Sequence, residues 1–399
     1  MNLDDLPRHP VPTTTLEFSE LGLAPPILAA IKKLGFTHPT PIQAAVIPAA
    51  LEGRDVIGLA QTGSGKTAAF ALPLAERLTH GRGLRGLIVS PTREIALQTK
   101  AFLDLFGQNH KLKTIVLIGG VKMNPQFDDL KSGPDIVVAT PGRLLDHLER
   151  RTIRLDEIEE LVLDEGDHML DLGFLPQVQK IMRALPAERQ TMMFSATMPD
   201  SIEQLASKYM KDPLRIDILP KGAAHGISHR LYLVLAENKR NCLLNLLQQE
   251  LGTTLVFARR KIDAEWLAKI LQRQGHPVES MHSDRTQKQR VNALENFRQG
   301  QHRILVATDI AGRGIDVPSI SHVVNFDIPE TVEDYIHRAG RTARGEAEGL
   351  VSTIATWQDL PLIREIEKRL GGEIARCTIP GVPAYVESKN KPVRTRRFR

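Results

Sequence analysis

Short apolar runs of strand type recur along this chain, each followed by a stretch of helical periodicity, and that alternation restricts the fold more than any other feature. In the first half the runs are RDVIGLA (54–60), RGLIVS (85–90), KTIVLIGG (113–120), DIVVATP (135–141), EELVLDE (159–165) and QTMMFSAT (190–197). In the second they are HRLYLVL (229–235), TTLVFAR (253–259), PVESMHS (277–283), RILVATD (303–309), HVVNFDI (322–328) and GLVSTIA (349–355). Runs that are continuously apolar, rather than alternating, belong to strands buried on both faces, as in parallel sheets covered by helices. The series pauses at ILPKGAAHGIS (218–228), where Pro220, Gly222 and Gly226 interrupt regular structure. The pattern predicts two tandem, doubly wound α/β domains with parallel sheets, residues 1–217 and 229–375, joined by a short linker at 218–228.

Several classes of protein are excluded by composition. The two cysteines, Cys242 and Cys377, are too few for a disulfide framework or a cysteine-based zinc site, which predicts a reducing compartment. The opening MNLDDLPRHPVPTTTLEF has acids and prolines where a signal peptide has a basic and then an apolar run. No run reaches the length of about 18 apolar residues that a membrane-spanning helix needs. A cytoplasmic location and no membrane partner are the expectation. The net charge of +5 leans toward polyanionic partners. The segment 376–399 is expected to be a disordered basic tail, with Lys389, Lys391, Arg394, Arg396, Arg397 and Arg399 and no acid after Glu387, suited to phosphate backbones.

In a parallel α/β sheet, ligands bind where the strands end, and the unusual residues of this chain fall there. AQTGSGKT (60–67) leaves a strand and opens a helix. Gly63, Ser64 and Gly65 allow the backbone to wrap a phosphate, and the helix N-terminus adds amide donors. Lys66 reaches toward β- and γ-phosphates, and the Thr67 hydroxyl is a ligand for Mg²⁺. Ala60 stands where the strict motif has glycine. LVLDE then supplies what a phosphate loop needs from another strand: Asp164 for the Mg²⁺ shell and Glu165 for the attacking water.

With these residues the chain resembles the DEAD-box ATP-dependent RNA helicases of helicase superfamily 2, through residues 16–375 and many motifs in order. GFTHPTPIQ (35–43) is similar to the Q motif, with Phe18 as its upstream aromatic, and AQTGSGKT to motif I. PTREIA (91–96), GG (119–120) and TPGR (140–143) are similar to motifs Ia and Ib. DEGD (164–167) stands in the place of Asp-Glu-Ala-Asp, and SAT (195–197) in that of motif III. LVFARR (255–260), QKQR (287–290), ATDIAGRGID (307–316) and HRAGRTAR (337–344) resemble the motifs of the second domain, and the whole is similar to a bacterial RhlE-like subgroup.

The resemblance implies two RecA-like domains, ATP and Mg²⁺ as cofactors, and RNA as partner. It implies Gln43 as reader of adenine, and Phe18 or Phe36 packing on the base, with Phe36 the nearer of the two to plain core. It implies Lys66, Glu165, Arg341 and Arg344 in catalysis, and Asp316, on the same face as Asp309, supporting the nucleotide. Asp167, Ser195 and Thr197 are implied as the coupling between ATP and RNA. Thr92, Arg93, Gly120, Thr140, Arg143, Arg290 and Thr308 are implied as RNA contacts. With 5% aromatic residues and no stacking strand, contact with the sugar-phosphate backbone and strong salt dependence are expected. The chain is expected to act as a monomer, with protein partners left open.

Gly166 departs from the motif while all three acids remain, so a working ATPase is expected, with looser coupling to RNA as the cost of the missing methyl. Ser283 and Arg285 depart too, and add charge near RNA. Ala343 stands where glycine is more usual, between Arg341 and Arg344, which the resemblance implies as arginine fingers reaching the γ-phosphate. Two other readings compete with a helicase: an ATP-gated RNA clamp with weak turnover, supported by Gly166 alone, and a DNA helicase of the same superfamily.

Overall fold

The structure, a computed structural model, describes residues 16–61, 63–79, 83–110, 112–218, 226–250, 252–309, 320–342 and 348–383, with side chains at 107–110 excepted. The chain divides into two compact units, Met1–Lys221 and Gly222–Arg399. Most of the expected linker and residues 384–399 of the expected basic tail lie outside the described residues; the tail's first part, 376–383, departs from the expectation, because Ile379 and Val382 are buried against the second unit's core.

The strands of the first unit are β1 (Val56–Ala60), β2 (Gly86–Val89), β3 (Thr114–Leu117), β4 (Ile136–Ala139), β5 (Glu160–Leu163), β6 (Gln190–Ser195) and β7 (Leu214–Ile218). They form one sheet in the order β3-β4-β2-β5-β6-β1-β7, parallel throughout. The second unit has β8 (Ile227–Leu233), β9 (Thr254–Phe257), β10 (Val278–Met281), β11 (Ile304–Ala307), β12 (His322–Asn325), β13 (Gly349–Ala355) and β14 (Ala375–Arg376). Their order is β10-β11-β9-β12-β13-β8-β14, again parallel. Counted from each unit's first strand, the two orders are identical.

Alternate residues of each strand face opposite sides of a sheet, and here both sides are buried. Ile57, Leu59, Leu87, Val89, Leu161 and Leu163 pack on one side of the first sheet. Val56, Ile88, Val138, Val162 and Met192 pack on the other. The second sheet repeats the arrangement, with Leu255, Phe257, Leu305 and Val323 against Val256, Ile304, Val306 and Val324. This is why the strand segments read as unbroken apolar runs. No helix among the described residues is long and apolar enough to cross a membrane.

Polar clamps fasten the amino ends of the first sheet. Asp55 accepts from the backbone N–H of Thr191 at 2.7 Å and of Lys211 at 2.6 Å, joining the entrances of β1, β6 and β7. Glu160, at the start of β5, pairs with Arg77, yet its side chain is only 1% exposed. Burial outweighs the pairing and raises its carboxyl from 4.5 to about 7. The folded protein therefore holds this proton more tightly than the unfolded chain does. The stability associated with Glu160 is fully present below pH 4.5 and is lost as pH rises through about 7. Calorimetric scans between pH 4.5 and 8 should show Glu160→Gln flattening the fall in stability of the first unit, which is on the order of 3 kcal/mol at full effect. An unchanged pH profile would show that the carboxyl titrates normally.

Candidate active site

Adjacent strand ends build the phosphate side of the first unit. β6 lies between β5 and β1, so Ser195–Thr197 stand between Asp164–Asp167 on one side and the 61–67 loop on the other. Gly63 and Gly65 hold φ of 84° and 92°, the left-handed region that a side chain disfavours. A methyl at Gly65 would also lie 2.3 Å from Gln43 Nε2 and 2.9 Å from Thr40 Oγ1. Lys66 opens the Lys66–Arg77 helix, is 7% exposed, and donates from Nζ to Ala60 O at 2.7 Å. Ser64 and Thr67 are half-buried beside it.

Gln43 is buried against this loop. Its Oε1 accepts from Thr40 N at 2.9 Å, and its Nε2 donates to Gly65 O at 3.1 Å. Thr40 and Gln43 form a capping box on the Pro41–Leu51 helix. Thr40 was readable as the first residue of a T-x-x-Q box, a signal the sequence analysis passed over. The burial expected of Phe36 is corrected. Phe18 is 5% exposed inside a cluster with Leu21, Ile27 and Leu72, whereas Phe36, taken as nearer to core, is 42% exposed. Both belong to segments whose burial depends on how the N-terminal helices pack, which local sequence does not report.

At the end of β5, Asp164 is 4% exposed and its N–H donates to Val89 O. Burial first, then the charge of Glu165, hold its carboxyl above the usual carboxylate range, while Lys66 opposes them. Such a carboxylate is relieved by a cation. With the Thr67 hydroxyl it offers the hard oxygen donors that Mg²⁺ takes. Glu165 adopts φ 51° and ψ 59°, and its Oε2 lies 3.0 Å from His168 Nδ1. Asp167 acts as a strap. Its Oδ2 accepts from Ala196 N at 3.1 Å, Thr197 N at 2.8 Å and Thr197 Oγ1 at 3.0 Å. Ser195 Oγ accepts from the backbone N–H of Asp167 rather than meeting its carboxylate.

Farther along the sheet the ends of β2, β4 and β3 bring a second group together. Thr92 is 7% exposed and accepts from Ile95 N; Thr140 is 9% exposed and precedes the Pro141–Glu149 helix. Arg93 lies over Gly120, whose φ is 73°; a methyl there would fall 1.8 Å from Arg93 Nη1. Arg143 donates from both Nη atoms to Val121 O at 3.2 Å. Arg93, Gly120 and Arg143 thus meet on the 119–121 turn.

In the second unit Thr308 follows β11 and is 8% exposed, and Arg290 on the Gln287–Arg298 helix is 7% exposed. Arg341 is 2% exposed and donates from Nε to His337 O. Asp316 and Arg344 lie outside the described residues, as does Ala343. Arg338, which the sequence analysis did not single out, clasps Asp309 through Nε and Nη2 at 2.6 and 2.7 Å and donates from Nη1 to Asn325 Oδ1 and Asp327 O. One expectation is corrected here: Arg285 does not offer added charge to a ligand. It pairs with Glu265 at 2.9 Å and Glu279 at 3.4 Å and donates to Ser280 Oγ, so acids from a neighbouring helix and strand neutralise it.

Two parallel RecA-like sheets, with a glycine loop and paired acids on nearby strand ends of the first, define a P-loop ATPase. The family model for DEAD/DEAH box helicases matches residues 40–205, and that for the helicase conserved C-terminal domain matches 238–346. A DEAD-box ATP-dependent RNA helicase CshA of Bacillus cereus is 39% identical over 379 residues, spanning 94% of this chain and 72% of its own length. The structure of S. cerevisiae Dbp5 bound to RNA and ADP BeF3 is 30% identical with a TM-score of 0.83, covering 90% of this chain and 95% of that one. Mss116p bound to ssRNA and AMP-PNP is 29% identical with a TM-score of 0.84, covering 93% and 81%. The chain belongs to the DEAD-box ATP-dependent RNA helicases. The Bacillus cereus relative carries the CshA name, and it is the family rather than the RhlE-like subgroup that these comparisons establish.

Gly166 is accommodated without strain. A methyl there would lie 3.7 Å from Ile202 Cγ2 and 3.8 Å from Ser195 Oγ, ordinary contact distances. Gly166→Ala should stabilise the first unit by about 0.5–1 kcal/mol in denaturant titrations and leave RNA-stimulated ATPase within about twofold of the parent, a change of under 0.5 kcal/mol. A marked rise in coupling to RNA would mean that the glycine loosens the strap after all.

Proposed function

We propose that the first unit binds ATP between the 61–67 loop and Asp164–Glu165, hydrolyses it, and uses the cycle to open short RNA duplexes and remodel RNA–protein complexes. The observation that carries this reading is the strap at Asp167, which ties the acids of β5 to the end of β6. Lys66 would move from Ala60 O to the phosphates. Thr67 and Asp164 would hold Mg²⁺, which, when bound, neutralises charge on the β- and γ-phosphates. Glu165 takes a proton from water as the water oxygen bonds to the γ-phosphorus and the bond from that phosphorus to the β,γ-bridging oxygen breaks. Gln43 would turn its amide to adenine. Arg341, and Arg344 beyond the described residues, would supply cations to the γ-phosphate, and Asp316 would support the nucleotide.

Thr92, Arg93, Gly120, Thr140 and Arg143 in the first unit, and Arg290 and Thr308 in the second, are the groups we assign to RNA. Hydroxyls, backbone amides and arginines suit phosphate oxygens and carry no base code. Bacterial relatives and the reducing-compartment composition support action in the cytoplasm. The clamp reading rested on Gly166. The intact strap and the ample room for a methyl at that position favour turnover.

Two measurements test these roles. Glu165→Gln should lower RNA-stimulated kcat by about 10²-fold or more, with ATP still bound; a rate near that of the parent would overturn the assignment of Glu165. Gly120→Ala should displace Arg93 and weaken RNA binding roughly tenfold, about 1.4 kcal/mol, in anisotropy titrations, while ATP affinity holds. Equal RNA affinity would remove Arg93 from the RNA surface.

A further inference from the structure

Glu165 has an unusual local geometry. It is a non-glycine residue in the left-handed region, at φ 51° and ψ 59°, a conformation that persists where its surroundings enforce it. It occupies the cap position of the Gly166–Asp171 helix, yet its side chain caps nothing. Oε2 instead lies 3.0 Å from Nδ1 of His168, whose side chain is 3% exposed. A carboxylate that is to receive a proton from water accepts at this contact, and the Nδ1–H tautomer of the imidazole is the one that donates to it.

His168 is itself held from behind. Its backbone N–H donates to Asp167 Oδ1 at 2.9 Å, and the other oxygen of Asp167 receives Ala196 and Thr197 from the end of β6. Hydrogen bonds therefore tie the 195–197 segment to Asp167 and Asp167 to the His168 backbone, and the His168 side chain carries the connection on to the Glu165 carboxylate.

We propose that His168 is a positioning residue for ATP hydrolysis, its Nδ1–H fixing the Glu165 carboxylate toward the attacking water and relaying the state of the 195–197 segment to it. This rests on Glu165 being the group that receives the water proton. A mere core-filling role for His168 makes a different prediction, because filling the space needs no donor at a particular atom.

The test uses the full chain and steady-state RNA-stimulated ATPase, with circular dichroism and ATP binding as checks on folding. In His168→Asn the amide nitrogen falls where Nδ1 stood; in His168→Gln it falls near the Nε2 position instead. His168→Asn should retain at least about half of kcat, while His168→Gln loses roughly tenfold, with KM for ATP and for RNA within about twofold in both. His168→Leu, which packs and donates nothing, should match His168→Gln. Combined with Glu165→Gln, His168→Gln should cause no further loss, since both act through one carboxylate. Equal rates for His168→Asn and His168→Gln, at parent level or jointly reduced, would overturn the proposal. If Glu165→Gln alone retains the parent rate, the assignment of Glu165 fails. If it is inactive while His168→Gln is normal, only the role of His168 fails.

Discussion

Asp167 is the point on which the first unit's phosphate end depends. A carboxylate 4% exposed is tolerable only if its oxygens are satisfied, and here one oxygen takes the His168 amide while the other takes two amides and a hydroxyl from the end of β6. Those bonds fix the turn after β5, which carries Asp164 and the left-handed Glu165. They also fix the 195–197 segment relative to that turn. Removing the carboxylate would leave several buried donors without acceptors in one place, so the strap acts as a unit rather than as separable bonds.

Much of this was legible in the sequence because burial on both faces leaves a plain trace. β2, β4 and β11 are continuous apolar runs, as are β5 after Glu160 and β9 after Thr254, and the glycines, lysine and acids stand just past strand ends, where a parallel sheet puts its loops. What was not legible involves partners distant in sequence. Arg285 reads as a cation offered to solvent until the Lys261–Arg273 helix brings Glu265 beside it, 20 residues earlier in the chain. Phe18 and Phe36 are both aromatics near a helix end, and only the packing of the N-terminal helices decides which is buried. His168 stood three residues from Glu165, a spacing that places neighbours on a helix. The contact nevertheless depends on the left-handed backbone at Glu165, which no residue type at that position announces.

The two sheets share one strand order but use it differently. After β1 the chain has the glycine loop. After β8, the corresponding strand, it runs through the short 3₁₀ turn Ala236–Asn238 into a helix that Lys239 opens, much as Lys66 opens its own. No glycine stands between Leu235 and Lys239, and the Lys239 ammonium lies 2.6 Å from Asp327 Oδ1, past the end of β12, with the Phe326 ring 4.7 Å away. An internal ion pair fills the place where the first unit keeps a loop for phosphate. The same arrangement of strands thus serves once to hold a charged ligand and once to satisfy its own charges.

Each unit also closes its own apolar interior on both faces of its own sheet. Heat or denaturant therefore meets two cores in a single chain, and two-state unfolding is not the expected behaviour. A substitution that weakens one interior is felt in that unit's transition, whereas the ATP site proposed for the first unit disappears when that unit melts. The temperature at which activity is lost and the midpoint of the ellipticity change are then separate quantities, and a single melting temperature describes neither half of the molecule.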